Sequence, residues 1–250
     1  MKRRLLQVCG PMFYRYILYS IFALSSVVLA LSLSWVLLLN TNFLYPIWHD
    51  VGGIGAGIDH FGPKNRFKPG FGESTKEDRS RIFAEINDAV HANGQGLADI
   101  RYQTPSSNGS QAFLHHDEIV HLQDVAKLIN LLKIVSLANF LTWLALAGTF
   151  IVLFRALPPL STQYLGLAVI LTISLLVLFS IGPGKVFDQL HIWIFPKENK
   201  WFFYYQESLM STLMMAPKLF GWIAASMALL TVISFGAITY SIHRLSQRLF

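Results

Sequence analysis

The chain has 250 residues, of which 53% are hydrophobic and only 14% are charged. It carries 20 basic and 14 acidic side chains, which gives a net charge of +6 at pH 7. This composition excludes a disordered chain and differs from that of an ordinary soluble domain. Because the apolar residues fall in long blocks, it indicates an integral membrane protein. The single cysteine, Cys9, excludes an intramolecular disulfide.

Four apolar blocks are long enough to cross a bilayer as helices. They cover residues 16–39, 134–154, 163–182 and 219–242, and none contains a charged side chain. The first block follows basic residues, as the apolar core of a secretory signal does. It is longer than such a core, however, and no small-residue cleavage site follows it. We therefore predict that it is an uncleaved first span.

Basic residues are distributed unevenly among the segments that join these spans. The N-terminus, the turn at 155–162 and the C-terminal tail hold seven basic residues and no acidic residue. Residues 40–133 and 183–218 hold the other 13 basic and all 14 acidic residues. Because cytoplasmic segments of membrane proteins are enriched in Lys and Arg, both termini are predicted to be cytoplasmic. The two long segments are then extracytoplasmic.

The segment 40–133 is long enough to fold as a small cap on the outer side. Its residues 52–72 are rich in Gly and Pro and are predicted to form a loop. Ser74 and Glu77 have the spacing of a helix capping box. The apolar positions from 82 to 90 then repeat with a helical period, which predicts an amphipathic helix.

Two short strands complete the predicted cap, one around residues 100–104 and one around 111–114. The predicted fold class is therefore an all-α integral membrane protein, with four transmembrane helices and a small extracytoplasmic α/β cap. The second long segment, 183–218, is an extracytoplasmic aromatic segment.

A histidine lies between carboxylates in the polar stretch that leads into the second span. In a helix, Glu118, His121 and Asp124 share one face, because they are spaced three residues apart. Counted back from about residue 128, His121 lies about 10 Å along the helix, near the headgroup level. A neutral imidazole there can accept a proton, and a carboxylate can fix its tautomer. The alternative is an ordinary solvated helix end.

The second long segment holds one histidine, His191, close to a dense group of aromatic residues. Seven aromatic side chains lie within thirteen residues: Trp193, Phe195, Trp201, Phe202, Phe203, Tyr204 and Tyr205. An anchoring belt at the membrane boundary is the simple interpretation. The density exceeds what a belt needs, so a pocket around an amphipathic substrate is the alternative. His191 follows the third span closely and therefore also lies at the outer boundary.

Two motifs resemble those of a known family, the lipoprotein intramolecular transacylases (Lit). The stretch EIVHLQDV, residues 118–125, is similar to a family motif in which an acidic residue precedes V-x-H-x-x-D-V. The stretch QLHIWIFPKENKWFF, residues 189–203, is similar to F-H-x-x-F-F-P-x-N-x-W-x-F. Its matching positions are His191, Phe195, Pro196, Asn199, Trp201 and Phe203. The chain departs from the family pattern at Leu190, Ile194 and Tyr204-Tyr205.

The resemblance implies a four-span enzyme of the bacterial plasma (inner) membrane with its active site at the outer face. The implied substrate is a membrane-anchored diacylglyceryl lipoprotein in the lipid bilayer. The implied reaction moves the sn-2 acyl chain to the α-amine of the N-terminal cysteine, which gives an N-acyl S-monoacylglyceryl (lyso-form) lipoprotein. Amine and ester belong to one molecule, so proximity is the main catalytic contribution. Neither a cofactor nor a nucleic-acid partner is expected.

Such a transfer needs a base that takes a proton from the amine and an acid that protonates the departing alkoxide. His121 and His191 are the predicted catalytic pair, with the order of their roles left open. Glu118 or Asp124 is expected to orient His121. The predicted substrate-binding residues are Phe195, Asn199, Trp201, Phe202, Phe203, Tyr204 and Tyr205.

Two other functions are compatible with the sequence. A metal-assisted membrane lipid hydrolase is one, and its candidate ligands would be His116, Asp117, His121 and His191. No HExxH or comparable spacing occurs, so no metal site is predicted. A non-enzymatic membrane scaffold or transporter subunit is the other. The uncharged spans disfavour transport, because ion paths usually require charged groups at mid-membrane.

Overall fold

The structure is a computed structural model that describes residues 2–68, 70–106 and 109–249, and for residues 2–13 it describes the backbone alone. The side chains of Lys2, Arg3, Arg4 and Cys9, which entered the sequence analysis, lie outside the described residues. In chain order the α-helices are α1 (Lys2–Leu39), α2 (Tyr45–Asp50), α3 (Ile54–Phe61), α4 (Lys76–His91), α5 (His116–Val152), α6 (Leu160–Ile181), α7 (Pro183–Ile194), α8 (Leu209–Met214) and α9 (Lys218–Leu249). Two strands, β1 (Arg101–Tyr102) and β2 (Gln111–Ala112), precede α5.

Four helices in the described part of the chain are long and apolar enough to cross a membrane, namely α1, α5, α6 and α9. Helices α1 and α9 contain the apolar blocks 16–39 and 219–242, whereas α5 and α6 end one or two residues before the ends of the blocks 134–154 and 163–182. The predicted fold class, a mainly helical multi-pass membrane protein with four spans, is confirmed. Helix α5 starts well before its apolar block. Residues 116–133, which include five charged side chains, form the first part of the same helix.

The chain divides into two compact units. The span unit consists of Met1–Val36, Ile134–Val177 and Met227–Phe250. The site unit consists of Leu37–Lys133 and Leu178–Ser226.

Small polar side chains join the helices of the span unit. The rings of Phe22 and Trp143 stack with centroids 5.9 Å apart, and the indole N–H of Trp143 donates to Ser26 Oγ at 2.9 Å. Ser25 Oγ donates to Asn139 Oδ1 at 2.9 Å, and Asn139 Nδ2 donates back to the carbonyl of Ser25 at 3.1 Å. In an apolar environment such pairs satisfy each other and fix helix against helix.

Helix α4 is the central helix of the site unit. Its N-cap is Thr75, whose hydroxyl accepts a hydrogen bond from the backbone N–H of Asp78 at 3.1 Å. The sequence predicted a cap one residue earlier, at Ser74. That hydroxyl instead donates to the carbonyl of Phe71 at 2.6 Å, so it closes the preceding turn. The apolar face of α4 is buried as predicted, and it consists of Ile82, Phe83, Ile86, Ala89 and Val90.

The prediction of a loop over 52–72 was wrong for its first half, where α3 forms. Ile54 and Ile58 lie on one side of α3 and are fully buried, which stabilises the helix despite its glycines. Gly53 precedes α3 with φ of +67°, a conformation that glycine adopts without strain. A Cβ at Gly62 would lie 2.8 Å from the backbone nitrogen of Gly72. Some of these glycines therefore allow close contact between backbones.

The strand component of the cap is a two-residue antiparallel ladder, in which Arg101 pairs with Ala112 and Tyr102 with Gln111. The strands lie where the sequence predicted them, but they are shorter. The rings of Phe71, Tyr102 and Phe113 pack together behind this ladder with centroids 5.5 to 6.2 Å apart. Aromatic packing therefore holds the ladder to the rest of the site unit.

Arg79 of α4 is a buried cation that connects three neighbouring segments. Its guanidinium donates to Asp59 Oδ1 at 2.7 Å and to the carbonyl of Gly72 at 3.0 Å. It also contacts His49 Nε2 at 3.2 Å and donates to Ser74 Oγ at 3.0 Å. The planar fork of arginine satisfies acceptors in several directions at once, which lysine cannot do.

We expect Arg79→Ala to destabilise the site unit by about 1–3 kcal/mol, because it removes a buried group whose hydrogen bonds reach Asp59, the carbonyl of Gly72 and Ser74. Thermal unfolding of the purified protein in detergent would measure the loss as a lower Tm. Arg81→Ala is the matched control, because Arg81 is exposed and its ion pairs in the described part of the chain, with Asp78 and Glu85, lie on the same helix. Its Tm should stay close to that of the wild type. Equal losses in the two variants would contradict this role of Arg79.

Candidate active site

The start of α5 is fixed by a carboxylate that is almost completely buried. One oxygen of Glu118 accepts a hydrogen bond from the backbone N–H of His115 at 2.5 Å, as the third residue of a capping box does. The other oxygen accepts a hydrogen bond from the hydroxyl of Ser208. Ser208 is in turn the N-cap of α8 and accepts from the N–H of Ser211 at 2.9 Å. Glu118 and Ser208 are each 1% exposed.

A buried lysine lies close to this carboxylate. The ammonium group of Lys68 donates to the carbonyl of Phe113 at 2.6 Å. Burial lowers the pKa of Lys68, while the carboxylate of Glu118 acts in the opposite direction. Electrostatic attraction between the two groups offsets part of the cost of burying either.

His121 lies one helical turn beyond Glu118, and its ring is buried among other rings. The centroid of its imidazole is 4.9 Å from the ring of Phe195 and 6.1 Å from that of Phe203. The ring of His191 lies 5.9 Å away at an interplanar angle of 30°. The two histidines are 70 positions apart in the sequence, so the fold of the site unit brings them together.

His191 belongs to α7, and its tautomer is fixed by the helix backbone. Its Nδ1 lies 2.8 Å from the carbonyl oxygen of Phe187. A carbonyl oxygen only accepts hydrogen bonds, so Nδ1 carries the proton and Nε2 carries the lone pair of the neutral ring. Burial lowers the pKa of His191 below its ordinary value of 6.5, an effect that this hydrogen bond and Asp188 oppose. The neutral ring therefore persists to lower pH than in free histidine.

Asp124 ties α5 to the segment that follows α7. Its Oδ2 accepts a hydrogen bond from the side-chain amide of Asn199 at 2.5 Å, and its Oδ1 accepts from Lys127 Nζ at 2.8 Å. The N–H of Asn199 donates to the carbonyl of Pro196 at 3.2 Å, which forms a turn. This turn is thus attached to α5 one helical turn beyond His121.

The aromatic residues after this turn alternate between two sides of an extended segment. Trp201 and Phe203 are half-buried, and their rings approach His191 at 5.1 Å and His121 at 6.1 Å respectively. Phe202 and Tyr204 point the other way and are exposed. This period of two is that of an extended chain. Phe195, Trp201 and Phe203 therefore form the aromatic surroundings of the two histidines.

The structure brings together part of the set of residues that the sequence singled out. His121, His191, Phe195, Trp201 and Phe203 lie in one cluster, and Asn199 is joined to it through Asp124. The other three predicted substrate-binding residues lie apart from the histidine rings: Phe202 and Tyr204 are exposed, while Tyr205 packs on Phe61 and donates to the carbonyl of Ala216 at 2.5 Å.

The expected orienting carboxylates have hydrogen-bond partners other than His121. Those of Glu118 are His115 and Ser208, and those of Asp124 are Asn199 and Lys127. Both carboxylates thus fix the segments around His121.

Phe187 and Ser208 are two contributors that the sequence analysis did not assign. Phe187 lies four residues before His191 in a helix, so its carbonyl is in reach of the ring, and this spacing was available as a signal. The bond between Ser208 and Glu118 spans 90 positions and has no local signal. No cluster of three or more His, Cys, Asp or Glu side chains suited to a metal ion occurs among the described residues.

Comparisons with known proteins identify the family and a similar fold. A family model described as "Lipoprotein intramolecular transacylase Lit" matches residues 95–220, which is half of the chain and includes both histidines. A solved structure of a variant of the membrane integral lipoprotein intramolecular transacylase Lit from Bacillus cereus is similar in fold, with a TM-score of 0.65. It is 16% identical, and the match covers 99% of this chain and 97% of that one. No curated protein matches the sequence significantly.

The matched region contains the motif around His121, the motif around His191 and the turn that joins them through Asn199 and Asp124. The structural match extends the likeness in fold to the four candidate spans. The chain belongs to the Lit family of lipoprotein intramolecular transacylases.

Proposed function

We propose that the protein transfers the sn-2 acyl chain of a diacylglyceryl lipoprotein to the α-amine of the same molecule by acid/base catalysis with His121 and His191. The observation that carries the proposal is the 5.9 Å separation of the two imidazoles inside an aromatic cluster. Two imidazoles whose ring centroids are this far apart can each direct a nitrogen towards one tetrahedral centre.

The reaction balances within a single substrate molecule. The neutral amine attacks the carbonyl carbon of the ester, so that a C–N bond forms and the C–O bond to the glyceryl oxygen breaks. A base takes one proton from the amine nitrogen, and an acid supplies one proton to the departing oxygen. The product is an N-acyl S-monoacylglyceryl (lyso-form) lipoprotein with the mass of the substrate.

His191 suits the role of the base. Its Nδ1–H is held by the carbonyl of Phe187, so the neutral ring presents the lone pair of Nε2 to the amine. His121 then protonates the alkoxide. Two positive charges on neighbouring buried rings would repel each other, so the pair is expected to carry at most one extra proton at a time, and His121 gives up its proton as His191 gains one. Proton exchange between the rings resets them after each turnover.

The aromatic surroundings support the same chemistry. Phe195 and Trp201 pack against His191, and Phe203 packs against His121, so these rings reduce the contact of both imidazoles with water. A dry site strengthens the hydrogen bonds that develop in the transition state. The apolar rings also suit an acyl chain that must fold back on its own headgroup.

The cellular setting is part of the proposal. The distribution of basic residues favours an outer location for the site unit and a cytoplasmic location for both termini. Membrane-anchored diacylglyceryl lipoproteins of the bacterial plasma membrane are the proposed substrate, and the bilayer is the medium in which they reach the site.

Mass spectrometry of a synthetic diacylglyceryl lipopeptide tests the reaction. We expect incubation with the purified protein to leave the total mass unchanged and to place an acyl group on the N-terminal amine, because the transfer is internal. Loss of an acyl mass would instead identify a lipid hydrolase. A chelator is added in parallel, and suppression of the reaction by the chelator would indicate the metal-assisted alternative.

The same assay tests the histidine pair. His121→Ala and His191→Ala should each lower kcat by about 10²–10⁴-fold, because each variant loses one proton-transfer group. His191→Asn is a sharper variant, since its amide can still donate to the carbonyl of Phe187 but cannot accept a proton. His116→Ala is the matched control on the exposed side of α5 and should retain activity. Near-full activity of any His121 or His191 variant would refute the pair.

A further inference from the structure

Helix α7 has two different exposed faces. Leu190, Trp193 and Ile194 have the i, i+3, i+4 spacing of one helical stripe, and all three are exposed, Trp193 to 74%. Another face carries the exposed polar residues Lys185, Asp188 and Gln189, together with one exposed apolar residue, Ile192. Phe187 and His191 are half-buried and lie on the side of the helix that faces His121. The helix is therefore amphipathic beyond what its contacts within the site unit require.

The extended segment after α7 adds to the apolar stripe. Phe202 and Tyr204 are 52% and 60% exposed, and their rings meet edge to face with centroids 5.2 Å apart. They lie on the side of the segment away from the histidines, because Trp201 and Phe203 occupy the other side.

The end of α6, which belongs to the same unit, is also exposed and apolar. Phe179 is 85% exposed and Ile181 is 50% exposed. Only Gly182, with φ of +90°, separates this end of a candidate span from the start of α7. A helix that leaves a span through such a joint begins at the boundary of the hydrocarbon region.

We propose that an outer aromatic face, made of Leu190, Trp193, Ile194, Phe202 and Tyr204, lies in the interfacial layer of the lipid bilayer, with α7 along the membrane surface. Tryptophan and tyrosine prefer this layer, because their rings are apolar and their N–H or O–H reaches water. An amphipathic helix with an aromatic and aliphatic stripe binds at the same depth.

Neighbouring charges fit a lipid partner better than a protein partner. The exposed lysines Lys185, Lys197 and Lys200 lie on α7 and the segment after it, where they can reach lipid phosphates, and the exposed acids Asp188 and Glu198 among them leave an excess of one positive charge. The centres of protein interfaces are, in contrast, depleted of lysine. The apolar face also follows directly on a membrane span, so the bilayer is the solvent already present there.

This position has a consequence for the reaction. His191 lies on α7 between the apolar stripe and the polar face, beside Phe187. A helix at the interfacial layer therefore holds this imidazole at the depth where acyl esters of lipids occur. This consequence rests on the proposed acyl transfer, whereas the membrane position of the outer aromatic face does not.

Tryptophan fluorescence in phosphatidylcholine vesicles tests the position of Trp193, one of six tryptophans. The emission of the Trp193→Phe variant is subtracted from that of the wild type. The resulting difference spectrum is the emission of Trp193. We expect this emission to be quenched by phosphatidylcholine brominated near the ester end of its chains and to be poorly quenched by aqueous acrylamide. The matched control is Trp201→Phe, whose difference should be weakly affected by both quenchers, because Trp201 packs on His191.

Quenching of the Trp193 component by acrylamide alone would overturn the proposal, because it would place the face in water. A spin label on Trp193→Cys in a Cys9→Ser background provides a second measurement of depth. If this label reported contact with another copy of the chain rather than with lipid, the face would be a dimer interface and the proposal would fail. Neither measurement requires turnover, so its result is independent of the proposed acyl transfer.

Discussion

The hydrogen bonds of two carboxylates hold the surroundings of His121 together. Glu118 joins the start of α5 to the start of α8 through Ser208, and Asp124 joins α5 to the turn at Asn199. These bonds lie one helical turn on either side of the histidine. Because charge-assisted hydrogen bonds are short and directional, they fix two chain segments, the start of α8 and the turn at Asn199, relative to α5. The spacing of the two imidazoles depends on this arrangement. In the proposed reaction this spacing matters, because a misplacement of about 1 Å can cost on the order of 100-fold in rate.

In the functions proposed above, the aromatic segment combines the two roles that the sequence analysis treated as alternatives. Trp201 and Phe203 surround the histidines, while Phe202 and Tyr204 form the exposed side. An extended chain divides its side chains between two faces, so one short segment can both enclose a site and present rings to the membrane interface. If the proposed interfacial position is correct, a lipid-anchored substrate reaches the histidines without leaving the interfacial layer.

Local patterns predicted much of this structure. The four apolar blocks, the buried face of α4 and the two histidine-bearing segments followed from hydrophobicity and spacing. Helix α3 was missed because its glycines indicate a loop, whereas burial of Ile54 and Ile58 decides the local structure. The partners of Glu118 and Asp124 lie about 75 to 90 positions away, and no local pattern encodes them. The sequence could not show which side chains of the segment 201–205 face the histidines and which are exposed, because all five residues are aromatic.

The most direct test of the central claim, that His121 and His191 act as one catalytic unit, is the single-turnover rate of the double variant. Groups that carry one proton-transfer sequence together are strongly non-additive when they are removed. The rate of His121→Ala/His191→Ala with a diacylglyceryl lipopeptide should therefore be close to that of the slower single variant. If the two losses multiplied, the histidines would contribute independently, and the paired mechanism would be contradicted.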